Sequence, residues 1–244
     1  MVHAEARAGG AVDLTRTMRL LDTFCGAGGA AMGYHRAGFE VVGVDVAPQP
    51  HFPFEFHQGE ALEYIRAHGH EFDVIHASPP CQRFSEATPM EYRNAYPDLI
   101  APTRALLQET GKTYVIENVE GARGELIKSV MLCGTMFGLP IWRHRYFETW
   151  PYWFLSPATC KHNRRPITVH SGSHTRKTWE PVLCSGGADG PSSTKKHKRP
   201  RESVAVVRWA MGIDWMTGNE LSQAIPPAYT FWIGSQLMNI LRAK

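Results

Sequence analysis

Short apolar runs alternate with segments of helical spacing along the first 150 residues. Runs typical of buried strands cover Met18–Phe24, Glu40–Asp45, Glu71–Ala77, Lys112–Ile116 and Arg145–Trp150. Helical spacing is found between them, at Ala30–Ala37, Ala61–His68, Asp98–Thr110 and Glu125–Phe137. Strands and helices that alternate at these lengths form a parallel sheet covered by helices. We therefore predict an α/β fold with a doubly wound, mostly parallel sheet.

A glycine-rich turn, Cys25–Gly29, follows the first predicted strand. Its glycines let the backbone approach a ligand, and the start of the following helix attracts negative charge. Asp45 ends the second strand, where an acid can bind ribose hydroxyls. The Gly-x-Gly-Gly spacing lacks the Gly-x-Gly-x-x-Gly pattern of dinucleotide folds, which favours S-adenosylmethionine as the ligand.

A thiol and a carboxyl group stand at the ends of two further strands. Cys81 lies in the stiff sequence Ser-Pro-Pro-Cys-Gln after the third strand, where a cysteine can act as a nucleophile. Glu117 ends the fourth strand and can donate or accept a proton. The alternatives are a buried structural cysteine and an ordinary carboxylate at a strand end.

Arg143 and Arg145 are two residues apart, so they point to the same side of a strand. Guanidinium groups suit the recognition of a carbonyl or a phosphate. The alternative is an exposed basic edge.

The charge of the chain is unevenly distributed. The net charge is +3, but residues 160–201 carry ten Lys or Arg and two acids. A basic block on an otherwise acidic protein predicts a polyanionic partner. The alternative is a solvated linker.

Five widely spaced cysteines favour a reducing compartment, the cytoplasm, over a disulfide framework. No apolar stretch reaches the length of a membrane span. Residues 1–17 are rich in Ala and Gly and lack the apolar block of a signal peptide, so we expect a disordered tail. We expect the protein to be a monomer.

The alternation stops near Trp150. Residues 151–201 read as a short irregular insert, and residues 202–244 as helices that return to the main domain of residues 18–150. The insert contains Cys160, His162, His170, His174 and Cys184 but no Cys-x-x-Cys pair, so the spacing predicts no metal site.

Five ordered motifs make the chain similar to the DNA (cytosine-5-)-methyltransferase family. The resemblance covers about Arg19–Glu148 and Val204–Leu241, and its motifs are Asp22–Gly29, Ser78–Gln82, Glu117–Val119, Arg143–Arg145 and Ala224–Pro227. It implies a Rossmann-like class I methyltransferase fold and transfer of a methyl group from S-adenosylmethionine to C5 of a cytosine in double-stranded DNA.

The resemblance also implies roles for the reactive residues. Cys81 would attack C6 of a cytosine flipped out of the duplex. Glu117 would bond N3 and the exocyclic amine, and Arg145 would bind the O2 carbonyl, with Arg143 supporting the loop. Loss of the C5 proton would then expel the cysteine.

Binding residues follow from the same resemblance. The cofactor would contact Phe24, Cys25, Gly26, Ala27, Gly28, Gly29, Asp45, Val46, Glu60, Ala61, Pro80, Gln223 and Ala224. DNA would contact Gln82, Ser85, Lys195, Lys196, Lys198, Arg199 and Arg201, with residues 151–201 as a short target-recognition region.

Three positions depart from the family pattern. Ile141 replaces a glutamine, Glu60 replaces an aspartate, and Ser222-Gln223 replaces Gly-Asn.

Two other functions stay open. One is an RNA (tRNA) cytosine-5 methyltransferase, although the Cys-Phe-Thr tripeptide of such enzymes is not found in the chain. The other is a DNA-binding protein of this fold without turnover.

Overall fold

A single seven-stranded sheet forms the centre of the protein. The computed structural model describes residues 16–151, 154–163, 166, 167, 169 and 202–243. The strands are β1 (Arg19–Thr23), β2 (Glu40–Asp45), β3 (Glu55–Gln58), β4 (Val74–Ala77), β5 (Thr113–Asn118), β6 (Val130–Leu132) and β7 (Arg145–Trp150). Their order is β3-β2-β1-β4-β5-β7-β6, and only β7 runs against the others. This confirms the prediction of a doubly wound, mostly parallel sheet.

Helices cover both faces of the sheet. They are α1 (Gly29–Arg36), α2 (Ala61–His68), α3 (Met90–Arg93), α4 (Ile100–Glu109), α5 (Val204–Met211), α6 (Gly218–Gln223) and α7 (Pro227–Arg242). Neighbouring residues of a strand point to opposite faces, so Leu20 packs with α1 and α7 while Leu21 packs with α2 and α4. Both leucines are fully buried.

The return of the chain after the insert is fixed by close packing of α7 on α1. A Cβ atom on Gly33 would collide with the Thr230 side chain and the Pro227 backbone, so only glycine fits there. The Thr230 hydroxyl donates a hydrogen bond of 2.8 Å to the carbonyl of Ala30. The final helix thereby covers the helix that begins at the glycine turn.

The helix predicted for Glu125–Phe137 is wrong. This segment contains β6, which pairs with β7, and a 3-10 helix at Gly134–Phe137. Side chains from elsewhere bind its backbone: Arg104 donates to the Glu125 carbonyl at 2.6 Å, and Glu148 accepts from the Ile127 N–H at 2.8 Å. Those backbone groups are held by tertiary partners instead of an α-helical ladder.

The strand β3 and the helix α3, of four residues each, were not predicted from the sequence. A capping box formed by Thr217 and Glu220 starts α6. Among the described residues, no helix is long and apolar enough to cross a membrane. Most of the predicted tail and most of the predicted insert lie outside the described residues.

Candidate active site

The sequence motifs meet at one edge of the sheet. Strands β1, β2, β4 and β5 are parallel, so the glycine turn, Asp45, the Cys81 loop and Glu117 all lie at the carboxyl ends of strands. Because β7 is antiparallel, its first residue, Arg145, starts at this same edge. The antiparallel strand β7 therefore begins with an arginine at the edge of the sheet where the parallel strands end.

Glu117 and Arg145 form an ion pair, with 3.0 Å between Oε1 and Nε. The two side chains are only 7% and 13% exposed, so water screens the pair weakly. Burial raises the pKa of Glu117, although Arg145, Arg143 and a hydrogen bond from the Ser78 side chain each act to lower it. A buried carboxyl group with a raised pKa is suited to donating a proton.

Cys81 is half-buried beside this pair. Burial raises the pKa of its thiol, Arg145 and Arg143 lower it, and Glu117 raises it further. The Cys81 carbonyl accepts hydrogen bonds from the N–H groups of Phe84 (2.9 Å) and Ser85 (2.8 Å), which closes the chain into a turn. In this turn Gln82 is exposed and Ser85 is half-buried.

Asn118 joins the loop of Cys81 to the end of β5, and sequence reasoning did not give it a role. It is 1% exposed, and its Nδ2 donates a hydrogen bond of 3.0 Å to the carbonyl of Pro79. Its Oδ1 accepts from the Val119 N–H at 2.9 Å. Its place between Glu117 and Val119 in the third motif was the available signal.

A chain of hydrogen bonds runs from the core to Glu117. The Tyr34 hydroxyl lies 3.0 Å from His76 Nδ1, and His76 Nε2 lies 2.9 Å from the Ser78 hydroxyl. Ser78 in turn bonds Glu117. Burial lowers the pKa of His76 to about 3, so the ring is neutral and one nitrogen donates while the other accepts.

Arg143 fastens the carboxyl-terminal segment to the site. Its Nη2 donates a hydrogen bond of 2.7 Å to the carbonyl of Ser222, and its own carbonyl accepts from the Tyr229 hydroxyl at 2.6 Å. His144 lies between the two arginines in sequence, and its Nδ1 is 3.4 Å from a carboxylate oxygen of Glu120.

The glycine turn and Asp45 are bonded to each other. The Asp45 carboxylate accepts from the N–H of Gly26 at 2.9 Å and from the N–H of Ala47 at 3.0 Å. Gly26 has φ +48°, and a Cβ there would have nothing within 4 Å, so the turn presents open backbone on that side. Phe24 also has a positive φ, 56°, which is uncommon for a non-glycine residue.

The neighbouring cofactor candidates have different environments. Val46 is 72% exposed after β2, whereas Ala61 is buried at the start of α2. Glu60 caps that helix, because its Oε2 accepts from the Glu63 N–H at 2.8 Å. The half-buried Pro80 stands directly before Cys81.

The other side of the glycine turn is lined by the carboxyl-terminal segment. The Cβ of Ala224 lies 3.2 Å from the place that a Cβ on Gly29 would take, while a Cβ on Gly28 would meet Phe52 and Pro53. Cys25 and Ala27 are buried, and Gln223 is exposed. Trp215 Nε1 donates a hydrogen bond of 2.8 Å to the Ala27 carbonyl, a contact that no sequence motif indicated.

Asp22 is a further residue that sequence reasoning passed over. It lies in β1 just before the glycine turn and is fully buried. Burial raises its pKa well above the ordinary value.

The predicted basic cluster cannot be placed against this site. Lys195, Lys196, Lys198, Arg199 and Arg201 lie outside the described residues, as do His170, His174 and Cys184.

Sequence comparison matches the part of the chain that contains the first three motifs, Asp22–Gly29, Ser78–Gln82 and Glu117–Val119. The family profile of the C-5 cytosine-specific DNA methylases matches residues 18–130. The Type II methyltransferase M.HgiGI of Herpetosiphon aurantiacus is 32% identical over 120 residues, which are 43% of this chain and 94% of that relative. The Type II methyltransferase M.HgiDI of the same organism is 28% identical over 159 residues, 53% of this chain, and the matched part spans about half (51%) of its length.

Structural comparison extends the similarity to nearly the whole chain. An E. coli prophage protein described as a DNA modification methyltransferase superposes with a TM-score of 0.61 and 17% identity. The superposition covers 92% of this chain and 99% of that one. At this level of identity the likeness concerns the fold.

Proposed function

The chain belongs to the C-5 cytosine-specific DNA methylases, and on this premise we propose that it methylates C5 of cytosine in DNA. The observation that carries the proposal is the buried Glu117–Arg145 ion pair beside the Cys81 thiol. A nucleophile, a proton donor and a guanidinium at one sheet edge are the groups needed to add a thiol to a pyrimidine ring.

Glu117 and Arg145 would make the ring electrophilic. Glu117, with its raised pKa, can place a proton on N3, and Arg145 can bind the O2 carbonyl, so charge entering the ring is stabilised. The ion pair holds both groups in position before the base arrives, which reduces reorganisation during the reaction.

Cys81 would then bond to C6, and C5 becomes nucleophilic. Because burial raises its pKa, the thiol is protonated at neutral pH in the free protein. We infer that the thiol gives its proton to solvent water only when the base is bound, with Arg145 and Arg143 stabilising the thiolate. After C5 has been alkylated, solvent water takes the C5 proton, the C6–Sγ bond breaks to release Cys81 as a thiolate, and the N3 proton returns to Glu117. The base must lie outside the duplex stack throughout.

The residues of the glycine turn fit S-adenosylmethionine. Gly26 presents open backbone, and Asp45 keeps acceptor capacity beside it while anchoring the turn. The exposed Val46 side chain offers an apolar surface, and Glu60 and Ala61 stand at the adjacent helix start. When bound, the cofactor supplies an electrophilic methyl group.

Double-stranded DNA is the proposed substrate, and residues 151–201 its recognition region. Lys195, Lys196 and Lys198 would neutralise phosphates, which adds affinity without reading the sequence. Gln82 and Ser85 lie in the turn after the nucleophile, where a loop can close over the substrate. Methyl transfer from labelled cofactor to duplex DNA, with tRNA and protein-free reactions in parallel, tests this choice; transfer to tRNA alone would replace DNA by RNA.

The nucleophile is tested with Cys81→Ser. This variant should lose methyl transfer and keep cofactor binding, because a hydroxyl ionises far less readily than a thiol. The parent protein should form a covalent adduct with DNA that contains 5-fluorocytosine, since fluorine cannot leave as a proton. His70→Ala, at an exposed position outside the site, serves as the control and should react like the parent. An active parent that forms no adduct would remove Cys81 from the mechanism.

A further inference from the structure

Four potential metal ligands from three separate parts of the chain converge beside β7. They are Cys133 after β6, His144 just before β7, and Cys160 and His162 beyond it. Their ligand atoms all lie within 4.8 Å of one another. None of these side chains is needed for the chemistry proposed for Cys81 and Glu117.

Three of the distances between these ligand atoms match a tetrahedral zinc site. Zn–S and Zn–N bonds of about 2.3 and 2.0–2.1 Å place sulfur and nitrogen ligands about 3.5 Å apart and two nitrogens about 3.4 Å apart. His162 Nε2 lies 3.4 Å from Cys133 Sγ, and His144 Nε2 lies 3.4 Å from Cys160 Sγ. The two Nε2 atoms are 3.3 Å apart. The Cys160–His162 distance, 2.8 Å, is shorter, so these two groups would separate by less than about 1 Å around an ion.

The surroundings orient the imidazoles as a metal site requires. His144 points Nε2 into the cluster, while its Nδ1 lies 3.4 Å from the Glu120 carboxylate, the arrangement that fixes the tautomer of a histidine ligand. The Trp142 ring stacks on His162, with 4.3 Å between ring centroids. The Thr135 hydroxyl is 3.4 Å from Cys133 Sγ and 3.8 Å from Cys160 Sγ, where it can bond a thiolate.

We propose that these four side chains hold one Zn²⁺ as a structural site. Two thiolates and two imidazoles in tetrahedral array favour zinc, and four protein ligands leave no open position for catalysis. On binding, the thiols release their protons, since the thiolate is the ligand form. The ion would tie the segment after β7 to His144, and hence to the backbone between Arg143 and Arg145.

The first test is the metal content of the full chain, produced without a histidine tag or chelator in medium supplemented with zinc. Mass spectrometry of the metal should find about one Zn²⁺ per chain. Cys160→Ser and His162→Ala should each reduce this to background. These two positions are chosen because Cys133 is buried and its replacement endangers folding.

His70→Ala and Cys184→Ser are the matched controls and should keep the zinc. A parent protein without zinc, or one whose Cys133 and Cys160 are joined in a disulfide, would overturn the proposal. Zinc retained by both ligand variants would overturn it too, because another ligand set would then hold the ion, and loss of zinc from Cys184→Ser would place Cys184 in that set.

A second variant tests the role of Glu120. Glu120→Gln keeps all four ligands but weakens the acceptor for His144, so we expect zinc affinity to fall about 10–100-fold in competition with a chelator. Unchanged affinity would contradict the assignment of the histidine tautomer. Zinc content and affinity are measured without any methylation assay, so failure of the zinc proposal and failure of the proposed function are separate results.

Discussion

Asn118→Ala tests whether the hydrogen bond to Pro79 positions the nucleophile. The change removes the 3.0 Å bond from Nδ2 to the Pro79 carbonyl, and also the acceptor for the Val119 N–H. Leaving a buried polar group without its partner costs about 1–3 kcal/mol. If that cost appears in the transition state, where Cys81 must be placed correctly, kcat falls about 5- to 160-fold, at 1.36 kcal/mol per factor of ten.

Steady-state methylation at varied cofactor concentration measures kcat and the KM for cofactor, and thermal unfolding shows that the variant is folded. The effect should fall on kcat, with the KM for cofactor unchanged, because Asn118 contacts the loop of Cys81 and not the glycine turn. Asn118→Asp keeps the acceptor for Val119 but places a carboxylate against the Pro79 carbonyl, so it should be at least as slow. Asn94→Ala, at an exposed position, is the control. A folded Asn118→Ala with the kcat of the parent would refute the reasoning and leave the two prolines as sufficient to place the loop.

Three further predictions concern stability and cofactor binding. The raised pKa of Glu117 means that the folded state holds the carboxyl proton more tightly than the unfolded state does. Protonation of Glu117 therefore stabilises the folded state fully below the ordinary carboxyl pKa, and this stabilisation is lost as the pH rises through the folded-state pKa. Glu117→Gln should therefore abolish turnover yet raise the Tm at neutral pH, with no gain below about pH 4; a Tm lowered at every pH would contradict this. Arg104→Ala strips the Glu148 carboxylate, 3% exposed, of two 2.7 Å bonds, and should cost about 3–5 kcal/mol in denaturant unfolding. The double variant with Glu148→Gln should recover part of the loss, and purely additive losses would argue against the pair. Asp45→Ala should weaken S-adenosylmethionine binding by about 1–3 kcal/mol in calorimetry, and unchanged affinity would assign the ribose to another group.

The sequence patterns predicted the bounds of helices and strands best where an element is stabilised by its own local residues. The strand Glu40–Asp45 and the helix Ala61–His68 have the predicted bounds, because an apolar run and an N-cap at Glu60 specify them. The helix prediction for Glu125–Phe137 failed because the groups that bind the backbone of this segment, Arg104 and Glu148, come from distant parts of the chain. The edge strand β3 was not predicted because its sequence, Glu-Phe-His-Gln, contains a single strongly apolar residue.

The candidate active site was predictable because its residues end strands of a recognisable sheet. Cys81 and Glu117 follow neighbouring parallel strands, so the fold alone brings them to the same edge. The full set of Cys133, His144, Cys160 and His162 was not predictable, because Cys160 and His162 are close in sequence but Cys133 and His144 come from the hairpin of β6 and β7 and no Cys-x-x-Cys pair marks the site. The Asn118 and Trp215 contacts run to backbone carbonyls, which leave no trace in a sequence.

The packing of α7 on α1 also has a consequence for biosynthesis. The hydrogen bond from Thr230 to Ala30 joins residues 200 positions apart, and a ribosome adds about 5–20 residues per second. The apolar face that contains Leu20 and Tyr34 is therefore uncovered on the nascent chain for about 10–40 s before helix α7 has been synthesised. During that interval the half-made sheet exposes a surface that chaperones bind, so the yield of folded protein should depend on them more than its final stability would indicate.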